Sequence, residues 1–579
     1  MKNDFTLILG GEAGQGVEST GAGFAQALAR AGLYVFAVPD YYSRIRGGHN
    51  FYHIRATGSP IFSHNETVHL VLALTREAVK RHAGQVVRGG GVVYDTALNL
   101  DKSLLPEGVQ DFGMPLKEIV KGAGGTDLML NTAMTGIAAG LTGLDLGFVE
   151  GVIWDNFGRK RGGKMAEANL KVARAAHDYA RDHFAERFPF KLRAVDAPKR
   201  MLIGGNPAMT LGALAGGCRF MSGYPMTPGS PILEMMSGLA AEYGVVTKHT
   251  EDEIAAICTA IGAGRAGVRA GVPTSGGGFS LMVETLGLAG MTEVPVVIFE
   301  VQRPGPSTGL ATRTEQGDLM FVLHASQGDF PRIVLAPGTI EECFRDGWRA
   351  FNLAEKYQCP VFVLSDHFLA NSLQTVPPEA LDFDRVVIDR GAMLTPEQLD
   401  ALEGDYKRFA FTESGISPWA PPGHPKAVYA SSSDEHNEYG NIEEDADNRS
   451  RMMEKRMRKL ETARQDMIPP KVYGPTDAEI IFVAWGSSYG PVREAMAMLK
   501  EKGVASNFLH ITDVWPFPAD AVAKVLQKAK RTVSVEGNYT GQMAALIRRE
   551  TGIQVDQQIH RYDGRPFSPE YILRGLKEA

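Results

Sequence analysis

The sequence predicts an α/β protein made of three doubly wound, Rossmann-like domains. Three observations lead there. A series of apolar strand, Gly-rich turn, helix and second strand opens the chain. A comparable series recurs between about 200 and 375, and again after about 471. The length, 579 residues, has room for roughly three or four domains. The composition, 44% hydrophobic and 22% charged, is that of an ordinary globular protein able to bury a sizeable core.

In chain order, the first domain spans residues 1–190. FTLILGG reads as a strand, GVESTGAGFAQALARAG as a helix and LYVFAVPD as the next strand, a βαβ start that predicts an open parallel sheet; HLVLAL and GGVVYD extend it. The charged connector ERFPFKLRAVDAPKR leads to a second domain, 200–375, with strands VPTSG and VPVVIFEVQ. Residues 376–470 form an extended connector rich in Pro, Ser, Asp and Glu, closing on the helical stretch RSRMMEKRMRKLETARQDM. The last domain, 471–579, repeats the pattern with AEIIFVAWG, SSYGPVREAMAMLKEKG, VASNFLHI and RTVSVEG.

A formal net charge of −7 without a long basic run argues against nucleic acid as partner. No apolar stretch reaches the ~18 residues of a membrane span, and no secretory leader is visible, so the expectation is a cytoplasmic protein without membrane contact. Cys218, Cys258, Cys343 and Cys359 lack the spacing of zinc or iron–sulfur ligands and read as core or partly buried thiols; no metal site is expected on this chain.

Several loops carry chemistry-bearing residues. Gly10–Gly16 contains Gly14-x-Gly16-x-x-Ser19 and is followed by Asp40 at a strand end, close to a dinucleotide fingerprint but short of its third glycine. A nucleotide, another phosphate-bearing ligand and a tight structural turn all fit it. Arg44 and Arg46, beside Gly47, Gly48 and His49, suit an anionic ligand; the plain alternative is a solvated turn. Gly223–Ser230 pins Thr227 between Pro225 and Pro228, a rigid loop that either holds a ligand or caps the next helix. Thr250-x-x-Glu253 has the form of a capping box, in which the glutamate merely satisfies a helix start. Pro273–Ser280 and Arg303–Gly309 follow predicted strands at their carboxyl ends, where open α/β sheets place ligands, and Arg303 suits a carboxylate or a rim salt bridge.

Taken in order, GGEAGQG, RIRGGHN, GYPMTPGSPILE, TEDEIAA, TSGGGFSLM, RPGPSTG and EGNYTGQ resemble the alpha subunit of 2-oxoacid:ferredoxin oxidoreductases, in the 2-oxoglutarate form with the gamma domain fused at its N-terminus. The resemblance covers essentially the whole chain. It implies a gamma domain, then a pyrimidine-binding domain for thiamine diphosphate, then a transketolase C-terminal-like domain. Glu253 matches the glutamate that activates the aminopyrimidine. Thr227 and Arg303 match residues at the substrate carboxylate, and Tyr224, Pro225, Ser275 and Gly276 are candidate coenzyme contacts. Arg44 and Arg46 are candidates for substrate or coenzyme A, as are Gly14 and Gly16 for a cofactor. There is no Gly-Asp-Gly and no cysteine cluster. In the family those belong to a beta subunit, which binds the diphosphate, Mg²⁺ and a [4Fe-4S] cluster. The implied enzyme is a heterotetramer of two alpha and two beta chains. It decarboxylates 2-oxoglutarate oxidatively to succinyl-CoA and reduces ferredoxin, reversibly, as in a reductive TCA cycle. Pyruvate or branched-chain 2-oxoacids are alternative substrates. A dinucleotide-dependent dehydrogenase and a non-catalytic CoA- or nucleotide-binding partner are the rival readings.

Overall fold

The computed structural model describes residues 3–42, 47–158 and 163–576. The chain forms two compact units. Unit one contains the residues up to Gly204, together with Asn371–Ala380 and Ser568–Tyr571; unit two contains the remainder.

Unit one is built on an eight-stranded sheet, in the order Gln110–Met114, Val86–Asp95, Val68–Ala73, Asp4–Ala13, Gly47–Thr57, Tyr34–Asp40, Leu373–Val376 and Met201–Ile203. Its first strand alternates as a half-turn period requires. Phe5, Leu7 and Leu9 face the helix Val17–Arg30, while Ile8 faces Ala78 and Val79 of the helix Arg76–His82. The expected open parallel sheet is corrected here. Gly47–Thr57 inserts between Asp4–Ala13 and Tyr34–Asp40 and pairs antiparallel with both. Asp40 therefore lies two strands, roughly 10 Å, from the strand that feeds the Gly-rich turn. A dinucleotide-binding βαβ unit puts the two strands side by side, so the dehydrogenase reading loses its geometric basis. The short strands Met201–Ile203 and Leu373–Val376, expected in the second domain, also belong to this sheet.

Unit two contains two sheets. The larger runs Asp513–Trp515, Ile333–Leu335, Pro360–Asp366, Val296–Gln302, Ala270–Thr274, Phe220–Gly223, Val246–His249. All its pairings are parallel except that of Asp513–Trp515. Every residue of Ala270–Thr274, Val296–Gln302 and Pro360–Asp366 is buried, the signature of parallel strands covered on both faces. The smaller sheet runs Lys471–Tyr473, Ser506–Ile511, Ile480–Trp485, Arg531–Glu536, Gln557–His560. One apolar core, from Phe279 and Phe362 to Trp485 and Leu546, joins the two.

Within unit two the connector contributes a buried ion cluster. Its helix Ala446–Ala463 has few apolar residues, but Lys455 and Lys459, one turn apart, converge on Glu293. All three are essentially buried. Arg408 adds a hydrogen bond to the Glu293 carbonyl (2.8 Å). Among the described residues no helix is long and apolar enough to cross a membrane. Cys218, Cys343 and Cys359 are buried as expected, whereas Cys258 is exposed, contrary to the expectation of four core or partly buried thiols.

Candidate functional site

Four adjacent parallel strands of unit two end at one edge, and the loops that leave them carry the predicted residues. Phe220–Gly223 leads into the Thr227 loop, Val246–His249 into Thr250–Glu253, Ala270–Thr274 into Ser275–Gly278 and Val296–Gln302 into Arg303.

Glu253 begins the helix Glu253–Arg265 and is 3% exposed. The capping-box reading of Thr250 and Glu253 is corrected. The N-cap is Asp252, whose carboxylate accepts from the Ala255 N–H (2.7 Å), and the Thr250 hydroxyl donates to the Asp252 carbonyl (2.9 Å). Glu253 thus has no capping work, and its Oε1 is buried without a partner. A buried carboxylate oxygen that accepts nothing is costly, so its persistence points to a donor the site is built to receive.

The glycines of TSGGG explain themselves through what lies against them. A Cβ on Gly278 would stand 2.8 Å from Glu253 Oε1 and clash with Thr274 Oγ1. A Cβ on Gly276 would strike the Asp318 carboxylate, and one on Gly277 would come 3.9 Å from Arg303 Nη2. Gly276 and Gly278 therefore seat Asp318 and Glu253 against the start of the helix Gly276–Met291, whose dipole favours the two carboxylates. Ser275 is fully buried, does not cap this helix, and has an unpartnered Oγ.

Arg303 is 8% exposed and donates from Nη1 to the Thr227 carbonyl (2.8 Å). Its Nε has no partner, and no salt bridge to it occurs among the described residues, against the rim-salt-bridge alternative. Burial lowers its pKa, while Asp318 first and then Glu253 oppose that shift. Thr227 is half-buried and does not cap the helix Ser230–Tyr243, whose N-cap Gly229 makes no side-chain bond. Tyr224 and Pro225 are exposed at the rim, Tyr224 at 40%, with its ring 6.2 Å from that of His249.

Residues 6–179 match the family model for pyruvate ferredoxin/flavodoxin oxidoreductase. Residues 211–455 match that for the thiamine diphosphate-binding part of pyruvate flavodoxin/ferredoxin oxidoreductase, and 478–572 match core domain II of pyruvate:ferredoxin oxidoreductase. A 2-oxoacid:ferredoxin oxidoreductase subunit alpha from a Sulfolobus species is 35% identical, with 98% of this chain and 96% of the relative covered. The 2-oxoglutarate oxidoreductase subunit KorA of Mycobacterium tuberculosis is 30% identical over 98% of this chain and 90% of its own length. The chain belongs to the 2-oxoacid:ferredoxin oxidoreductases, as an alpha subunit. The solved structure of 2-oxoglutarate:ferredoxin oxidoreductase from Magnetococcus marinus, with 2-oxoglutarate, coenzyme A and succinyl-CoA bound, superposes with a TM-score of 0.92 at 32% identity, covering 99% of each chain.

For a 2-oxoacid:ferredoxin oxidoreductase alpha subunit, the buried groups fit the aminopyrimidine half of thiamine diphosphate. The unpartnered Glu253 Oε1 is an acceptor for a ring N–H. The chain has no Gly-Asp-Gly to hold a diphosphate through a metal.

The first-domain candidates fare differently. Gly14 and Gly16 have φ of 93° and 69°, which only glycine adopts cheaply, and the Gln15 side chain closes the turn on the Glu12 N–H (2.8 Å). Arg44 and Arg46 lie outside the described residues. His49, grouped with them as a cation source, is corrected. It sits in the strand Gly47–Thr57, 4% exposed, with its Nε2 2.7 Å from that of His82. Burial lowers its pKa to about 4, so it is neutral at pH 7.

Residue reading missed two carboxyls. Glu300 sits fully buried in Val296–Gln302, and neither of its oxygens finds a donor; Asp318 lies against Gly276. The available signal was an acid inside the apolar run VPVVIFEVQ.

Proposed function

We propose that the chain is the alpha subunit of a CoA-dependent 2-oxoglutarate:ferredoxin oxidoreductase. In this reading it holds the aminopyrimidine of thiamine diphosphate, and a beta subunit supplies the diphosphate site, Mg²⁺ and a [4Fe-4S] cluster that passes electrons to ferredoxin. The observation that carries it is the buried, unpartnered Glu253 Oε1 in one edge of the sheet with Arg303 and Thr227. When bound, the coenzyme supplies a carbon nucleophile that accepts the 2-oxoacid and stores the electrons left after loss of CO₂. Glu253 binds the ring N–H and shifts the aminopyrimidine toward the tautomer that removes a proton. Arg303, held by the Thr227 carbonyl, meets the carboxylate next to the oxo group. Tyr224, Pro225, Ser275 and Gly276 line the way to the ring.

Two findings support the substrate. The Mycobacterium tuberculosis relative is named for 2-oxoglutarate, and the Magnetococcus marinus structure contains it. A broader 2-oxoacid preference is favoured by the Sulfolobus name. The complex reconstituted with its beta subunit is expected to show kcat/KM for 2-oxoglutarate at least about tenfold above that for pyruvate or 2-oxoisovalerate, because a site built for a second carboxylate leaves its polar groups unpaired with a shorter acid. Equal or better activity on pyruvate refutes the substrate assignment and leaves the enzyme class standing.

Arg44 and Arg46 are sequence-based candidates for binding an anionic group of 2-oxoglutarate or coenzyme A. Changing both to Ala is expected to raise KM for one of the two; unchanged KM for both makes them structural. A heterotetramer and a cytoplasmic location complete the proposal.

A further inference from the structure

Glu300 poses a problem that the reaction just described leaves open. Its side chain is fully buried, and neither carboxylate oxygen has a donor. The charged groups that bear on it are Asp318 and Asp366, both acids. An ionised carboxylate has no means of staying there, so burial and these two neighbours keep its proton on. A protonated acid must donate, and the acceptor beside it is Asp318, whose Oδ2 is likewise buried without a donor. Two carboxyl groups in contact hydrogen-bond only through a shared proton.

Asp318 in turn is firmly placed. Its N–H donates to Gln302 Oε1 (3.0 Å), Gln302 Nε2 donates to the Ser365 carbonyl (3.0 Å), and its carboxylate fills the space that the Cβ of any residue but glycine would need at 276. Its pKa is raised to about 6 by burial, with Glu300 and Arg303 opposing. Glu315, raised to about 7, also faces Asp318. Asp366 is held separately by the Thr314 hydroxyl (3.0 Å) and the Phe368 N–H (2.9 Å).

We propose that Glu300 and Asp318 act as an acid–carboxylate pair sharing one proton, whose single negative charge balances the buried Arg303 guanidinium and holds it aimed at the substrate carboxylate. The inference rests on the reading of Arg303 as the carboxylate partner. Its logic is one of charge and of free donors. A direct ion pair would occupy the guanidinium N–H groups that the substrate needs; Asp318 makes none, and Arg303 Nε stays unpartnered. A carboxylate one step back balances the buried cation without competing. The shared proton limits that balance to one charge, where two would repel the incoming carboxylate. Asp318 and Glu300 are thus positioning residues, and Arg303 is the group that touches substrate.

The test uses the complex reconstituted with its beta subunit, with KM for the 2-oxoacid, KM for CoA and kcat measured across pH. Asp318→Asn is expected to raise KM for the 2-oxoacid about tenfold while KM for CoA and kcat change less than about twofold, since a lost counter-charge acts on the nearest cation. Glu300→Ala, which removes the donor, is expected to raise the same KM, and Glu300→Gln, whose amide N–H donates as the protonated acid does, to restore it at neutral pH. In the wild type KM should climb toward alkaline pH as the shared proton is lost; Glu300→Gln should flatten that climb, which a packing defect would not. Arg303→Ala separates the two readings. If it raises KM and Asp318→Asn does not, the positioning role is overturned alone. If Arg303→Ala leaves KM unchanged, the carboxylate reading falls and the inference with it. Glu300→Gln as damaging as Glu300→Ala also overturns the shared proton.

Discussion

Glu253→Gln is expected to lower kcat of the reconstituted complex by about 10²-fold or more, the usual loss when a positioned acid–base group is removed. The substitution is nearly isosteric, so packing against Gly278 is kept. The competing account, a helix-capping residue, predicts loss of about 1 kcal/mol of stability with turnover kept. That account already fails on geometry, because Asp252 performs the capping and Glu253 Oε1 accepts nothing. A first-turn carboxylate also gains roughly 0.3–1 kcal/mol from the helix dipole, which Glu253→Gln gives up. The decisive comparison is kcat against melting temperature for Glu253→Gln and Asp252→Ala. Turnover should collapse in the first with the melting temperature nearly kept, and the second should melt earlier. Unimpaired turnover in Glu253→Gln ends the assignment.

The second large effect concerns the connector. Glu293→Ala is expected to destabilise unit two by about 3–5 kcal/mol, because it leaves Lys455 and Lys459 buried with no counter-charge. Lys455 Nζ lies 2.6 Å from Oε1 of Glu293, and Lys459 bonds Oε2. Burial lowers both lysine pKa values, that of Lys455 to about 7. Glu293 itself is held well below its usual 4.5: burial pushes it up, but Lys455, Lys459 and Arg408 together outweigh that. The sign follows. A depressed carboxyl contributes stability that is complete above about pH 4.5 and is lost as pH falls, because the native state must then take up a proton it resists. Urea melts of the chain at pH 7 and pH 4 check both points. The wild type should lose stability between pH 7 and pH 4 as Glu293 of the unfolded chain takes up its proton, and a variant within about 1 kcal/mol of wild type at pH 7 would show that the lysines find other partners.

Much of the architecture was legible because it is written in local periods. Largely apolar runs such as VPVVIFEVQ mark covered strands, and the loops that follow VPTSG and VPVVIFEVQ lie at strand carboxyl ends, as expected of parallel sheets. The seven ordered motifs carried the family, and with it Glu253, Thr227 and Arg303, beyond what residue chemistry alone could say. Read alone, Thr250-x-x-Glu253 pointed to a cap; only the φ/ψ of Asp252 and its bond to Ala255 reassigned that duty.

What the sequence determined by itself is therefore the class of fold, the family and the strand-end loops that carry the proposed site residues, all of which depend on neighbours a few places apart in the chain. The tertiary structure alone decided the rest. It placed Gly47–Thr57 between two strands that local pattern would have paired, brought Leu373–Val376 to the sheet of unit one, and turned His49 from a loop cation into a buried neutral ring. It also set Glu300 against Asp318, and Glu293 beneath two lysines more than 160 residues away. These are pairings between distant segments, and their energy comes from desolvation and from opposing charges, quantities that exist only once the chain has closed around them.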